Sequence, residues 1–368
     1  MRIMCVGASI TMGADINGGY RLPLEKMLQG AGIPVEFVGR LDSNSNGMTF
    51  PFHDGYSGFR VEQVEQGVEG TSRPIAEGVR DLQPDAVLIL CGTNDIRQNY
   101  ALEQAPQRLD HLIATIQNAA PLVRILVSSL PPDLHWDEAV RRYNAGTAQV
   151  VARRAAAGQR VGFVDNYAAL SSGVDMLPDL THPNKSGYIK IARGWFNALA
   201  PNAPQVAFAF TNESSRQFTS SSCLGYKITM KSTEQITDLG IYCAGHNLPF
   251  CHAVGVFDAN GDLLTQIKIT PECSPSGLFA FQPLPASLEL KASNSYYFIS
   301  NSIGLPTLIE ADTIVDPLRF ENPRFYFDHN IAIEMAEQDG TILKFPDPKI
   351  HDINGALGYF GPNFRFAP

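Results

Sequence analysis

Residues 85–91, Asp-Ala-Val-Leu-Ile-Leu-Cys, form an almost unbroken apolar run. A run of that kind is the pattern of a central strand covered on both faces, which places it in a parallel sheet lying between helical layers. The flanking sequence keeps the same rhythm. Strands are expected near residues 1–6, 35–39, 124–129 and 160–165 as well as 86–91, alternating with helices near 20–30, 61–79, 102–119, 136–157 and 185–199. Strand-helix alternation of this length predicts an α/β fold over residues 1–200, a three-layer α/β/α sandwich.

The pattern breaks at Ala200-Pro201-Asn202-Ala203-Pro204, where two prolines in five residues deny further helix and read as a linker. Beyond it, short strands are expected at 254–257, 263–269, 288–290, 296–300, 324–328, 331–334 and 341–345. The turns Asn260-Gly261 and Asp339-Gly340 fall between them. Residues 205–368 are therefore expected to form an all-β sandwich, an accessory domain with a structural or carbohydrate-binding role. A chain of 368 residues with 44% hydrophobic content is long enough for two cores. Tyr296, Tyr297, Phe325, Tyr326 and Tyr359 are candidate sugar-stacking residues there, against the plainer expectation that aromatics on alternating strands face the core. Trp136 and Tyr143, seven apart in a helical pattern, are expected to pack in the first core.

Net charge is −9, and after residue 203 there are 10 Lys+Arg against 17 Asp+Glu. That balance argues against nucleic acid or an anionic membrane as partner. No stretch of 18 apolar residues exists, so no membrane span is expected. The first residues run straight into a strand with no visible leader, which fits a cytoplasmic protein, or a secreted or periplasmic one whose leader has been removed. Cys5 and Cys91 fall in expected strands and read as small hydrophobes. Cys223, Cys243, Cys251 and Cys273 cluster in the second half, either as thiols or as up to two disulfides, with Cys243 and Cys251 the nearest pair in sequence.

The chemistry lies in the loops that follow the strands. Gly7-Ala8-Ser9-Ile10-Thr11 places Ser9 at the carboxyl end of the first strand, the edge where open parallel sheets bind ligands. Alone, Ser9 reads more readily as a turn serine satisfying its own backbone. Asp179-Leu180-Thr181-His182-Pro183 changes that, because a serine hydroxyl needs a base, and the base needs a carboxylate to fix its tautomer. Asp179 and His182 are three residues apart before the expected helix, although Asp179 or Thr181 could instead cap that helix. Gly92-Thr93-Asn94-Asp95 puts an amide donor, Asn94, at the tip of the strand 86–91, where it could bind an oxyanion. In Gly55-Tyr56-Ser57-Gly58-Phe59, Gly58 offers a backbone amide, or is a turn glycine. The polar loop 41–58 is expected to wall the cleft.

Taken in order, these blocks, with Gly19-Tyr20-Arg21 and Val38-Gly39-Arg40, resemble the SGNH (GDSL-like) hydrolases over about the first 200 residues, and within them carbohydrate esterase family 3. The resemblance implies a flavodoxin-like parallel sheet. It makes Ser9 the nucleophile, His182 the general base and acid, and Asp179 the residue orienting His182. It implies an oxyanion hole built from the Ser9 amide, the Gly58 amide and the Asn94 side chain. It calls for no metal and no cofactor. Ala8 stands where many relatives carry Asp, which removes a carboxylate beside the nucleophile. The implied activity is a serine esterase removing acetyl groups from a carbohydrate such as acetylated xylan. The alternatives are a lipase, thioesterase or arylesterase on a non-carbohydrate ester, or a catalytically silent carbohydrate-binding protein.

Overall fold

Ile3, Met4, Cys5 and Val6 are all fully buried, so β1 (Arg2–Gly7) is covered on both faces. In the computed structural model β1 is joined by β2 (Glu36–Val38), β3 (Asp54–Gly55), β4 (Ala86–Leu90), β5 (Arg124–Ser128) and β6 (Val161–Val164). The order is β2-β1-β4-β5-β6 with every pairing parallel, the flavodoxin-like arrangement. The strand β3 lies within the loop expected to be irregular. It pairs Asp54 with Val6 and Gly55 with Gly7, so the chain returns to β1 just before Gly58.

The structure describes residues 1–203, 205–206, 215–218, 222–243, 248, 251–276, 279–303, 309–314, 324–334, 351–352, 358–360 and 362–367. The chain divides into two compact units, Met1–Leu28 with Ile33–Pro201, and Gln29–Gly32 with Asn202–Pro368. Helices of the first unit are α1 (Ser9–Met12), α2 (Arg21–Gly30), α3 (Val61–Gln66), α4 (Ile75–Leu82), α5 (Thr93–Arg97), α6 (Ala105–Ala119), α7 (Asp137–Ala156), α8 (Asn166–Ala169) and α9 (Lys185–Leu199). The helices α3, α4 and α7 pack on α6, while α9 packs on β6 and α8 and sets Trp195 against Tyr20. Among the described residues no helix is long and apolar enough to cross a membrane.

Two expectations fail here for local reasons. The single helix over 61–79 is two helices, because Gly67 ends α3 at φ 79° and Pro74 starts α4. Trp136 is 37% exposed while Tyr143 is buried. Trp136 is the residue before the first turn of α7, so the helical spacing that put both on one face does not reach it.

In the second unit, the strand Glu234–Tyr242 belongs to one antiparallel sheet, and Ser222–Met230, Cys251–Asp258 and Ser295–Ile303 belong to another. Their inner faces share one core that includes Tyr226, Ile241, Val254, Phe298 and Phe364. This is a sandwich whose central strands are buried over consecutive residues, as at His252–Phe257. Asn260-Gly261 makes the expected hairpin, with Gly261 at φ 90° and Asp258 N donating to Asp262 O. The two strands expected at 324–328 and 331–334 are one, Phe325–Glu334, irregular between Phe327 and His329. Tyr296, Tyr297 and Phe325 are buried, and Tyr326 is exposed. The Tyr359 side chain, the strand 341–345 and the Asp339-Gly340 turn lie outside the described residues. Cys251 and Cys273 are free thiols, so no Cys243–Cys251 bridge forms. Residue 243 follows a strand of one sheet and residue 251 begins a strand of the other. The Cys223 side chain lies outside the described residues.

Candidate active site

The carboxyl edge of the sheet gathers the candidate residues. After β1, Ser9 opens α1, its backbone fixed by Met12 N donating to Ala8 O at 3.0 Å and Gly13 N to Ser9 O at 2.9 Å. After β3 comes Gly58 at φ 81°, a left-handed conformation that glycine holds without cost. No heavy atom stands where a Cβ on Gly58 would point, so the space beside it is open. After β4, Gly92 turns the chain at φ 128°, where a Cβ would strike the Tyr143 ring at 2.4 Å, and α5 begins with Thr93 and Asn94.

Residues 170–184 bring in the remaining pair. His182 Nε2 lies 2.9 Å from Ser9 Oγ, and Nδ1 lies 2.5 Å from Asp179 Oδ2. A carboxylate only accepts, so Nδ1 carries the proton and Nε2 is left to accept from the serine hydroxyl. Asp179 Oδ1 accepts from the amides of Thr181 and His182, each at 3.0 Å. Partial burial pushes the Asp179 carboxyl up, but the His182 ring and those two amides outweigh it and hold the group below the usual carboxylate range. Neither Asp179 nor Thr181 caps α9. That role belongs to Asn184, whose Oδ1 accepts from Gly187 N at 3.1 Å.

The Asn94 side chain donates to Phe59 O at 2.9 Å, and its second N–H is left for another acceptor. Its neighbours do work that the sequence did not signal. Gln98 donates to Gly58 O at 3.1 Å, and buried Asp95 accepts from Val61 N at 3.0 Å and from Arg108. Burial pushes the Asp95 carboxyl up against the opposing pull of Arg108. The short helix α5 and Gln98, the residue that ends it, thus grip every residue of the strip from Gly58 to Val61, with Arg60 donating to Gln98 Oε1 at 2.6 Å. Arg97 and Asp133 both contact Thr181 in the histidine loop. Asp15, at φ 62°, brings a carboxylate oxygen within 4.8 Å of ligand-type atoms of Asp179 and His182. The Asp165 side chain caps α8 by accepting from Ala168 N, as a loop residue rather than a site residue.

A parallel sheet of this order, with its polar loops converging at the carboxyl edge, has the SGNH hydrolase fold. Residues 5–189 match the GDSL-like lipase/acylhydrolase family, and the chain belongs to that family. Among proteins it is similar to, a multidomain esterase of Ruminococcus flavefaciens is 28% identical over 221 residues, 54% of this chain and 28% of that protein. The structure of a Clostridium thermocellum family 3 carbohydrate esterase is 31% identical, with 54% of this chain and 94% of that one covered and a TM-score of 0.48. A carbohydrate esterase family 3 structure from Talaromyces cellulolyticus is 23% identical over 55% and 97%, also with a TM-score of 0.48. The chain spans 28% and 49% of the length of curated relatives that it matches.

Proposed function

We propose that residues 1–200 form a serine esterase that removes acetyl groups from a carbohydrate, acetylated xylan being the model substrate. The observation that carries this reading is the unbroken line Ser9 Oγ, His182 Nε2, His182 Nδ1, Asp179 Oδ2, with spacings of 2.9 and 2.5 Å at its two hydrogen bonds. Ser9 Oγ attacks the ester carbonyl while its proton passes to His182 Nε2. The negative charge on the tetrahedral oxygen falls to the amides of Ser9 and Gly58 and the free N–H of Asn94, donors aimed where charge develops. Nε2 then protonates the departing sugar hydroxyl. Water, deprotonated by the same nitrogen, attacks the acyl-Ser9 bond and releases acetate. Asp179 keeps the proton on Nδ1 throughout.

The carbohydrate substrate is supported by the ordered motifs of the carbohydrate esterase family 3 type, and ester hydrolysis by the esterase name of the Ruminococcus relative. The sandwich of residues 205–368 is read as an accessory domain. The test is acetate release from acetylated xylan by the wild type beside Ser9→Ala, with 4-nitrophenyl acetate in parallel. Loss of both activities in the variant, by roughly 10⁵-fold, supports the reading. Cleavage of the phenyl ester without release from xylan keeps the site and discards the polysaccharide. A wild type silent on both moves the assignment to a binding protein.

A further inference from the structure

The loop that carries His182 holds Leu180 at φ 57°, a left-handed conformation that a side chain with a Cβ keeps only where its surroundings over-determine it. The surroundings are specific. Thr181 is buried, and its hydroxyl donates to Asp133 Oδ2 at 3.1 Å while accepting from Arg97 Nη1. Arg97 Nη1 lies 3.6 Å from the same carboxylate oxygen, and Asp133 Oδ1 accepts from His135 N at 3.0 Å. Asp133 is buried at the end of the segment leaving β5, and Arg97 lies on α5, three residues after Asn94. Three segments separated by 48 and 84 residues therefore meet at one hydroxyl.

We infer that Arg97 and Asp133, acting through Thr181, are positioning residues of the reaction: they fix the distance between His182 Nε2 and the Asn94 amide. This rests on the roles proposed above for Ser9, His182 and Asn94. The linkage is short at both ends. The amide of Thr181 is bonded to Asp179 Oδ1, so a shift of Thr181 turns the carboxylate that orients the His182 ring. On the other side, the helix bearing Arg97 holds Phe59 through Asn94, and Gln98, the next residue after Arg97, holds Gly58. The proton acceptor and the oxyanion donors are thereby tied into one frame. A misplacement of about 1 Å in such a frame costs on the order of 100-fold in rate. None of the three residues needs to touch substrate, so their loss falls on kcat rather than KM.

The experiment measures kcat and KM on 4-nitrophenyl acetate for the full chain, with active serines counted by stoichiometric phosphonylation and the thermal midpoint recorded. The variants are Ser9→Ala, Thr181→Val, Thr181→Ser, Asp133→Asn and the double variant Thr181→Val/Asp133→Asn. Thr181→Val is expected to lower kcat per active serine by roughly 10- to 100-fold with KM within about twofold. Thr181→Ser recovers most of the loss, and the double variant is no worse than the poorer single one, as for residues acting as a unit. Arg97→Met, at a side chain 40% exposed, gives the same readout should valine at 181 unfold the protein. Unchanged kcat per active serine, with only a lower midpoint and fewer active sites, overturns the inference while leaving the esterase reading intact. Wild-type turnover by Ser9→Ala overturns both.

Discussion

Ser9 and His182 meet at 2.9 Å, yet the supports behind them differ, a sheet strand for one and a loop rich in side-chain bonds for the other. Ser9 follows a fully buried strand and opens a helix, so its place is set by the sheet and by backbone hydrogen bonds. His182 stands on an irregular segment outside the sheet, held by a few backbone bonds, among them Leu177 N to His182 O at 2.8 Å, and by side chains from Asp175 at its root to Asp179 and Thr181 at its tip. Buried Asp175 takes Lys190 Nζ at 2.9 Å, Ser186 Oγ at 3.0 Å and Ser171 N at 2.7 Å. The position of Ser9 is thus a property of the sheet, and that of His182 depends more on the polar contacts of one loop. Substitutions near His182 should cost turnover before they cost stability, and substitutions under Ser9 should do the reverse.

The strongest test of that contrast is Asp179→Asn. An amide in place of the carboxylate can donate to Nδ1 and so leave the proton on Nε2, the wrong tautomer for accepting from Ser9. kcat is expected to fall by about 10⁴-fold, as for other orienting carboxylates. The thermal midpoint should barely move, because the side chain is 43% exposed. A loss of less than tenfold would mean that the loop backbone alone orients the ring. Next in size is Asn94→Ala, expected to lower kcat by about 10²–10³-fold, the cost of one oxyanion donor. It also frees Phe59 O, so Gln98→Ala serves as the control for loosening the Gly58 strip without touching the donor. If the control loses as much as Asn94→Ala, the asparagine works through the strip rather than on the oxyanion.

The contrast also explains what could be read from the chain. Strand runs such as 86–90 and the helix 185–199 follow from local patterning, and the parallel pairing follows from their alternation, whereas the strand order is implied only by the family resemblance. Ser9, Asn94, Asp179 and His182 stand in short blocks whose residue types announce chemistry. Arg97 and Asp133 carry no such mark, because their partner Thr181 is 84 and 48 residues away and nothing in the neighbouring sequence requires it. Asp95 was in plain view inside Gly-Thr-Asn-Asp, but its role, holding Val61 N and Arg108, depends on a tertiary contact. Trp136 was misplaced for a similar reason, since its seven-residue spacing from Tyr143 has meaning only if both lie inside the helix.

A smaller effect, on stability, probes the scaffold on the Ser9 side. His53 is fully buried just before β3, with Nδ1 accepting from Gly55 N at 3.1 Å and Nε2 donating to Ser43 O at 2.9 Å. Burial, with the Arg21 charge behind it, pushes its pKa down to about 4 from 6.5. A base whose folded pKa is lowered gives its full stabilisation above pH 6.5, and loses it as pH falls toward 4, because the unfolded chain binds the proton first. The loss from this one group is about 3 kcal/mol. The buried carboxyls Glu25, Asp54 and Asp95 are pushed up and titrate with the opposite sign, so the quantity to compare is the pH slope of urea unfolding in wild type and His53→Gln. Identical slopes between pH 6.5 and 4 would remove His53 from the account.

The smallest expected effect sharpens the comparison most, because it separates stiffness from contact. In Leu180→Gly, relief of the left-handed backbone is worth roughly 1–2 kcal/mol. Glycine's extra chain entropy offsets roughly 0.5–1 kcal/mol of that, so the midpoint of unfolding should shift little in either direction. The hydrogen bonds of Asp179, Thr181 and His182 all remain available to the variant. What changes is the number of backbone conformations open to the residue between the carboxylate and the clamped threonine. If the loop needs that restriction, kcat falls by several-fold on the order of 3–10, with KM unchanged. If turnover is untouched, the polar contacts hold the base without help from the backbone, and the division drawn between the two sides of the site becomes sharper still.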